Sequence, residues 1–360
     1  MQKVRIGLVG CGKVGGLHTG ALAAVPEAQL AAVCDASPER ARAFADQHKV
    51  RAFTSVSEMA ASGLIDAVDV CTPHPLHAQP VVEAAAHGVH ALVENPMAAT
   101  LEDCDRMIAA SRAAGTTLSV ISQRRWYPAV IRMREAIAAG KIGRPVLATF
   151  VMLSWRDETY YRSDPWRGKW STEGGGVLIN QSAHQLDLLT WLVDEIEEVS
   201  GYWANLNHPY VEIEDTALAM IRYRNGALGN IVASVSQNPG VYTKVHVHGG
   251  NGYSVGVQTD SGATFVAGMS GVQDAAFNDL WTIPGEQALR DGFEAEDRRL
   301  FAAVDATRYF HALQIRDFAQ SIQEGRPPAV TGVEARRTVE LFTAVYRSNA
   351  ARQPVKFPVC

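Results

Sequence analysis

Apolar runs of five or six residues recur through the first third of the chain, at 4–9, 30–34, 67–71, 89–93 and 117–121, and each reads as a buried strand. Amphipathic stretches at about 38–47, 75–87 and 100–114 lie between them and predict helices. Strand–helix alternation of this kind predicts a parallel, doubly wound sheet. Ligands bind such sheets beyond the carboxyl ends of the strands, so the loops after Val9, Cys71 and Val93 are the candidate site loops.

After Gln123 the pattern changes. A helix at about 128–139 ends at Gly140, a strand follows at 145–151, and one long helical segment covers about 175–192. Alternating runs then mark strands at 216–223, 227–235 and 241–248, the first two joined by the hairpin dipeptide Asn225-Gly226. Helices at about 303–323 and 331–349, separated by Gly325-Arg326-Pro327-Pro328, close the chain. Residues 258–300 read as loops and edge strands.

Composition narrows the class further. A chain of 360 residues suffices for two full cores, and a net charge of -5 gives no sign of a nucleic-acid or membrane partner. No apolar run approaches the roughly 20 residues that span a bilayer. The chain enters a strand at once, which predicts no secretory leader and a cytoplasmic protein. Its 5 cysteines, Cys11, Cys34, Cys71, Cys104 and Cys360, are odd in number and lack CxxC spacing. They read as thiols in a reducing compartment, Cys34 and Cys71 buried, with no zinc signature.

The first strand, Val4-Arg5-Ile6-Gly7-Leu8-Val9, runs into Gly10-Cys11-Gly12-Lys13-Val14-Gly15, and Asp35 follows Gly15 by 20 positions at the end of the second strand. Strand, GxGxxG, helix and acid at this distance form the Rossmann dinucleotide fingerprint. Gly10 permits the turn, Gly12 lets a pyrophosphate approach the backbone, and Gly15 lets the helix pack on the strand. Unpaired amides at the helix start suit the phosphates. A carboxylate at Asp35 accepts from the adenosine ribose hydroxyls and repels a 2′-phosphate, so the expected cofactor is NAD rather than NADP, with Arg40 as the nearby charge that softens the preference. A loop or capping carboxylate is the other reading of Asp35; Ser37-Pro38-Glu39 already reads as the cap and first turn of the next helix. The expected architecture is α/β: a Rossmann dinucleotide-binding domain at 1–122 and an α+β domain at 123–360 with a large, mostly antiparallel open sheet, the last helices packing back on the first domain.

Four more segments carry a family resemblance. Thr72-Pro73-His74-Pro75-Leu76-His77 is similar to a TPxxxH segment, and Gly88-Val89-His90-Ala91-Leu92-Val93-Glu94-Asn95-Pro96 to a GKHVxxEKP segment. Gly174-Gly175-Gly176-Val177-Leu178-Ile179-Asn180-Gln181-Ser182-Ala183-His184-Gln185-Leu186-Asp187 resembles a GGGxxxDxxxHxxD helix, and Glu214-Asp215-Thr216 with Asn225-Gly226-Ala227 the start of a C-terminal sheet. With the glycine loop, these resemble the Gfo/Idh/MocA oxidoreductases over nearly the whole chain. The resemblance implies a nucleotide domain, an open-sheet substrate domain, oxidation at CH–OH carbons of sugars, polyols or their derivatives, and homodimers or homotetramers joined through the C-terminal sheet. It also implies cofactor contacts from Thr72, Pro73, His77, Glu94, Asn95 and Arg124, beside Gly10, Cys11, Gly12, Lys13, Val14, Gly15 and Asp35. For Arg124 and its neighbour Arg125 an interdomain salt bridge is the other reading. Two departures stand out: Asn95 occupies the place of the EKP lysine, and Asn180 that of the helix carboxylate, where asparagine is common among members that oxidise nucleotide sugars.

Oxidising an alcohol carbon requires a base for the hydroxyl proton. His184 titrates in the useful range and lies four residues beyond Asn180, on one face of the predicted helix. Asn180 would orient the hydroxyl; it and Asn95 hydrogen-bond but do not titrate at neutral pH. Loss of a general acid or base costs about 10²–10⁴ in rate, and Lys169 is the substitute considered for the missing lysine. A helix-packing histidine is the other reading of His184, and Asp187 either orients its ring or packs. The segment from Trp155-Arg156 to Trp170 crowds aromatic and guanidinium groups that suit sugar faces and hydroxyls. Tyr160, Trp166 and Arg167 are the substrate candidates there, against a lid that packs on its own domain. His18, His74 and His77 lack a matching carboxylate or cysteine set in their spacing, so no metal is expected; His77 reads as a helix-start residue and Asn95-Pro96 as a candidate cis peptide. Three functions fit: an NAD-dependent dehydrogenase; a lyase or glycosidase that oxidises its sugar transiently; a catalytically weak NAD-binding sensor.

Overall fold

The computed structural model describes residues 2–260 and 274–359. Cys360 and the middle of the stretch expected to form loops and edge strands, 261–273, lie outside the described residues. The chain divides into two units, Met1–Gln123 with Thr307–Val339, and Arg124–Ala306 with Glu340–Cys360.

In the first unit, β1 (Val4–Val9), β2 (Ala28–Cys34), β3 (Arg51–Phe53), β4 (Ala67–Val70), β5 (His90–Val93) and β6 (Leu118–Val120) form one parallel sheet. Its order, β3-β2-β1-β4-β5-β6, reverses direction at β1 and β4, the place where such sheets bind ligands. Register brings the loop origins together: Val9 stands beside Cys34 and Val70. The Gly10 amide donates to the Cys34 carbonyl at 2.9 Å and the Cys71 amide to that of Val9 at 2.8 Å. The helix Ala306–Glu324 completes the core, with Ile315, Phe318 and Ala319 packed among Ile6, Leu92 and Ile121.

The second unit carries β7 (Pro145–Leu153), β8 (Ile196–Ala204), β9 (Thr216–Tyr223), β10 (Leu228–Ser234), β11 (Tyr242–Gly249), β12 (Ser254–Asp260), β13 (Phe277–Trp281) and β14 (Val355–Lys356). They form a sheet of order β13-β12-β11-β7-β10-β9-β8-β14, antiparallel except between β7 and β10. The Asn225-Gly226 turn joins β9 to β10, with Gly226 at φ 84. Alternation buries Ala217, Ala219, Ile221 and Tyr223 and leaves Leu218 and Met220 exposed. Tyr202, Leu218 and Val232 stand side by side on that open face, as do Leu228 and Leu147.

Three expectations are corrected. β3, β8 and a helix at Leu289–Ala303 were not expected. The region 258–300 is therefore not only loops and strands. Nor is 175–192 one continuous α-helix: a helical turn Trp170–Glu173, three glycines, a π-helical turn Val177–Gln181 and an α-helix Ala183–Leu192 follow one another. The cause is packing around the three glycines, part of it against a segment distant in sequence. Gly174 and Gly175 take φ 90 and 157, conformations closed to most side chains, and a Cβ on Gly176 would stand 1.9 Å from the Glu214 carbonyl oxygen.

Candidate active site

The dinucleotide loop sorts its glycines by cause. Gly10 has φ +100, and a Cβ on it would meet the Cys71 carbonyl oxygen at 2.8 Å; a Cβ on Gly15 would meet that of Gly10 at 2.2 Å. The fold itself demands both. Gly12 has φ -92, which any residue adopts, and its Cβ would meet nothing within 4 Å. The space above Gly12 fits a pyrophosphate approaching the backbone. The helix Lys13–Leu22 has no side-chain cap, and Lys13 and Val14 are exposed. Asp35 accepts from the Cys11 amide at 2.9 Å, the Ser37 amide at 2.8 Å and Arg40 at 2.9 and 3.1 Å. Burial pushes its pKa up, but Arg40 and the two amides outweigh this and hold it below the usual carboxylate value. Ser37 caps the next helix and Pro38 opens it.

The loops after β4 and β5 are tied together by His77. Its ring is buried, with Nε2 2.7 Å from the Thr72 carbonyl oxygen and Nδ1 3.1 Å from that of Pro96. Pro73 precedes the short turn His74–Leu76, and Asn95-Pro96 is cis. The Asn95 amide donates to Glu94 Oε2 at 2.8 Å, and Asn95 Oδ1 is buried without a hydrogen-bond partner among the described residues.

Behind this loop lies a network that local sequence reading missed. His18 is fully buried, with Nδ1 2.8 Å from Asp69 and Nε2 2.7 Å from Glu94 Oε1; His311 Nε2 lies 3.5 Å from the same oxygen. Burial opposes a charged imidazole, but Asp69 outweighs it and holds the His18 pKa well above the ordinary value. Burial likewise raises Glu94, and hydrogen bonds from His18 and His311 hold it well below the carboxylate range. The spacing argument against a metal at His18 does not survive, because Asp69, Cys71, Glu94 and His311 all bring ligand atoms to it. Both its ring nitrogens are nevertheless taken up by carboxylates at hydrogen-bond distance, which satisfies the cluster as an ion-pair network.

In the second unit the aromatic segment folds largely onto itself. Tyr160 is 3% exposed, and its hydroxyl accepts from Gln181 at 2.8 Å, Asn180 at 3.2 Å and Arg167. The Arg167 guanidinium lies 4.3 Å over the Tyr160 ring and 4.4 Å over that of Trp166. Tyr160 is thus no open sugar platform; Trp166 and Arg167 are partly exposed and Lys169 is exposed. Glu173, 0% exposed, accepts from the Asn180 side-chain amide and from the Gly168 backbone at 2.6 Å, and burial pushes its carboxyl up to about 7. Asn180 and His184 are both half-buried, but one sits in the π turn and the other in the first α turn, so a shared α-helical face does not describe them. Asp187 is claimed by Arg125, at 2.7 and 2.9 Å with both side chains buried, so it fixes the helix rather than the His184 ring. Arg124 donates to Thr259 at 2.9 Å and Asp260 at 3.2 Å, so both guanidiniums pair inside the second unit.

Among the described residues no helix is long and apolar enough to cross a membrane. Residues 4–122 match the family described as "Oxidoreductase family, NAD-binding Rossmann fold", and residues 130–255 the "GFO/IDH/MocA C-terminal domain". Myo-inositol 2-dehydrogenase of Thermotoga maritima is 25% identical, the alignment covering 98% of each chain. The scyllo-inositol 2-dehydrogenase (NAD(+)) of Bacillus subtilis is 27% identical over 99% of this chain and 97% of the relative. The WlbA dehydrogenase of Bordetella pertussis, solved with NADH and UDP-GlcNAcA, superposes with a TM-score of 0.88 at 31% identity, over 100% of this chain and 99% of that one.

Proposed function

Because the chain belongs to the Gfo/Idh/MocA family of NAD-binding oxidoreductases, we propose that it oxidises one secondary hydroxyl of a polyhydroxylated ring, a cyclitol, sugar or nucleotide sugar. The relatives' names mark the range, from inositols to UDP-GlcNAcA. The observation that supports the reading is Gly12, where neither backbone angle nor crowding requires a glycine and the open space suits a pyrophosphate.

The Gly10–Gly15 loop holds the diphosphate through its amides and Asp35 the adenosine ribose. Asn95 offers the nicotinamide half its unpartnered Oδ1. A nicotinamide bound there would supply the hydride acceptor for the alcohol carbon. Asn180 orients the reacting hydroxyl, and His184 takes its proton as general base. Trp166 and Arg167 border the sugar. A neutral amide at Asn95 leaves His184 as the proton carrier, in keeping with a single-base site. The open apolar face of Tyr202, Leu218, Met220 and Leu228 is the surface a second copy covers.

The test is a panel of inositols, aldoses, levoglucosan and UDP-GlcNAcA with NAD, following NADH absorbance and product together. One NADH per product is expected, and His184→Gln lowers kcat about 10²–10⁴-fold while NAD still binds. Product without NADH would replace this reading with transient oxidation; no turnover of any member would overturn it.

A further inference from the structure

We propose that Glu173 is a positioning residue that locks Asn180 as a hydrogen-bond acceptor toward the substrate hydroxyl. On this account the chain keeps at position 180 the acceptor that a carboxylate would supply, and holds the negative charge one layer beneath it. The inference rests on the dehydrogenase reading above and deepens it by assigning how the site receives the hydroxyl.

The geometry is a matter of counting protons. A primary amide carries two N–H donors and one carbonyl acceptor. The Asn180 Nδ2 group donates to Glu173 Oε1 and, at 3.2 Å, to the Tyr160 hydroxyl oxygen. Both donors are thereby committed, and above about pH 7, where the Glu173 carboxyl is ionised and only accepts, this orientation is the favoured one. Asn180 Oδ1 takes no hydrogen bond from any described residue, and the side chain is partly exposed, so that oxygen is the face left for a ligand. A flipped amide would set Oδ1 against the ionised Glu173 carboxylate and lose that bond, keeping only one donated by the Tyr160 hydroxyl.

Glu173 is itself held. Its side chain is fully buried, and its second oxygen accepts from the Gly168 amide at 2.6 Å. Gly168 takes φ +82, and its carbonyl oxygen accepts from the Glu212 amide at 2.8 Å. Tyr160 is fixed on the other side, its oxygen receiving Gln181 at 2.8 Å and Arg167. With Glu173 ionised, this shell favours the amide orientation that leaves Oδ1 for a ligand. The chemistry follows: as the substrate binds, its hydroxyl donates to Oδ1, which places the carbinol C–H, and the same proton turns to His184 as the hydride leaves. A carboxylate at position 180 beside an ionised Glu173 would fail, because two acceptors at hydrogen-bond distance cannot share the charge without taking up a proton.

The experiment is a double-mutant cycle on the full-length protein: parent, Glu173→Gln, Asn180→Asp and the two combined. Each single change lowers kcat/KM by about tenfold or more, chiefly in kcat, since orientation is lost rather than binding. The combined variant recovers most of that loss, because the glutamine amide then donates to the aspartate carboxylate and restores an acceptor facing the substrate. A merely structural pair would show added losses. Side-chain amide resonances of nitrogen-labelled protein give a readout independent of turnover: the Asn180 pair, identified by its absence in Asn180→Asp, is protected from solvent exchange in the parent and exposed in Glu173→Gln. A combined variant no faster than the slower single one, with the parent active, overturns the clamp and leaves the dehydrogenase reading standing; so does an Asn180 amide pair unchanged by Glu173→Gln. A parent that reduces no NAD with any member of the panel overturns the dehydrogenase reading, and the clamp's role with it.

Discussion

A Cβ on Gly15 would stand 2.2 Å from the Gly10 carbonyl oxygen, whereas one on Gly12 would meet nothing within 4 Å. Substitution separates the two. Gly12→Ala should melt within a few degrees of the parent yet lose most of its NAD affinity by calorimetry, while Gly15→Ala should fall markedly in melting temperature and in soluble yield. The motif showed three glycines in the sequence but did not show which of them the fold requires; only the surrounding backbone does. The same holds for Asp35. Its spacing predicted a ribose contact, and the structure adds Cys11, Ser37 and Arg40 as partners that fix and partly neutralise it. Arg40 is 64% exposed in its side chain, so it is free to leave. Arg40→Ala should therefore widen the gap in affinity between NAD and NADP, read from titrations of both.

Elements were legible where a period ran unbroken. β1 and β9 follow their burial patterns residue by residue, and Asn225-Gly226 marked its hairpin. β3 has only three residues, Leu289–Ala303 is dense in charge with a glycine inside, and β8 interrupts its alternation with Glu197, Glu198 and Gly201, so no period could announce them. The break before Asn180 was hidden for another reason: its cause is remote. Glu214 accepts from the Gly176 amide at 2.8 Å, the Leu178 amide at 3.0 Å and the Tyr346 hydroxyl at 2.8 Å, partners 38, 36 and 132 positions away. His18, Asp69, Glu94 and His311 come together across similar gaps. Chemistry-bearing residues were thus readable one at a time, and their partners were not. Gly176→Ala should be among the most disruptive single changes in the second unit, because the Glu214 main chain cannot retreat; circular dichroism melting and His184-dependent turnover should fall together.

At the scale of the whole molecule, buried carboxyls set the response to pH. Burial pushes Glu214, like Glu173, up to about 7, above the ordinary value near 4.5. Between those values the folded chain keeps protons that the unfolded chain has lost, so stability falls as pH rises through the window. Glu214→Gln removes one such proton, and its melting temperature should vary less between pH 5 and pH 7 than the parent's, though it starts lower for want of one acceptor. The open face of the second sheet makes a separate prediction. Met220 is 69% exposed beside Tyr202, Leu218 and Leu228, and Met220→Glu should shift sedimentation toward the single chain if a second copy covers that face.

The division of the chain has a consequence for how it is made. Phe318, Ile315 and Ala319 fill the space against Ile6, Leu92 and Ile121, yet they are encoded more than three hundred codons after the first strand. While the ribosome works through the intervening stretch, the nascent dinucleotide half keeps a greasy flank uncovered and cannot close. Premature stop codons anywhere before that helix should yield not a smaller cofactor-binding fragment but an insoluble one, dependent on chaperones for as long as it lasts.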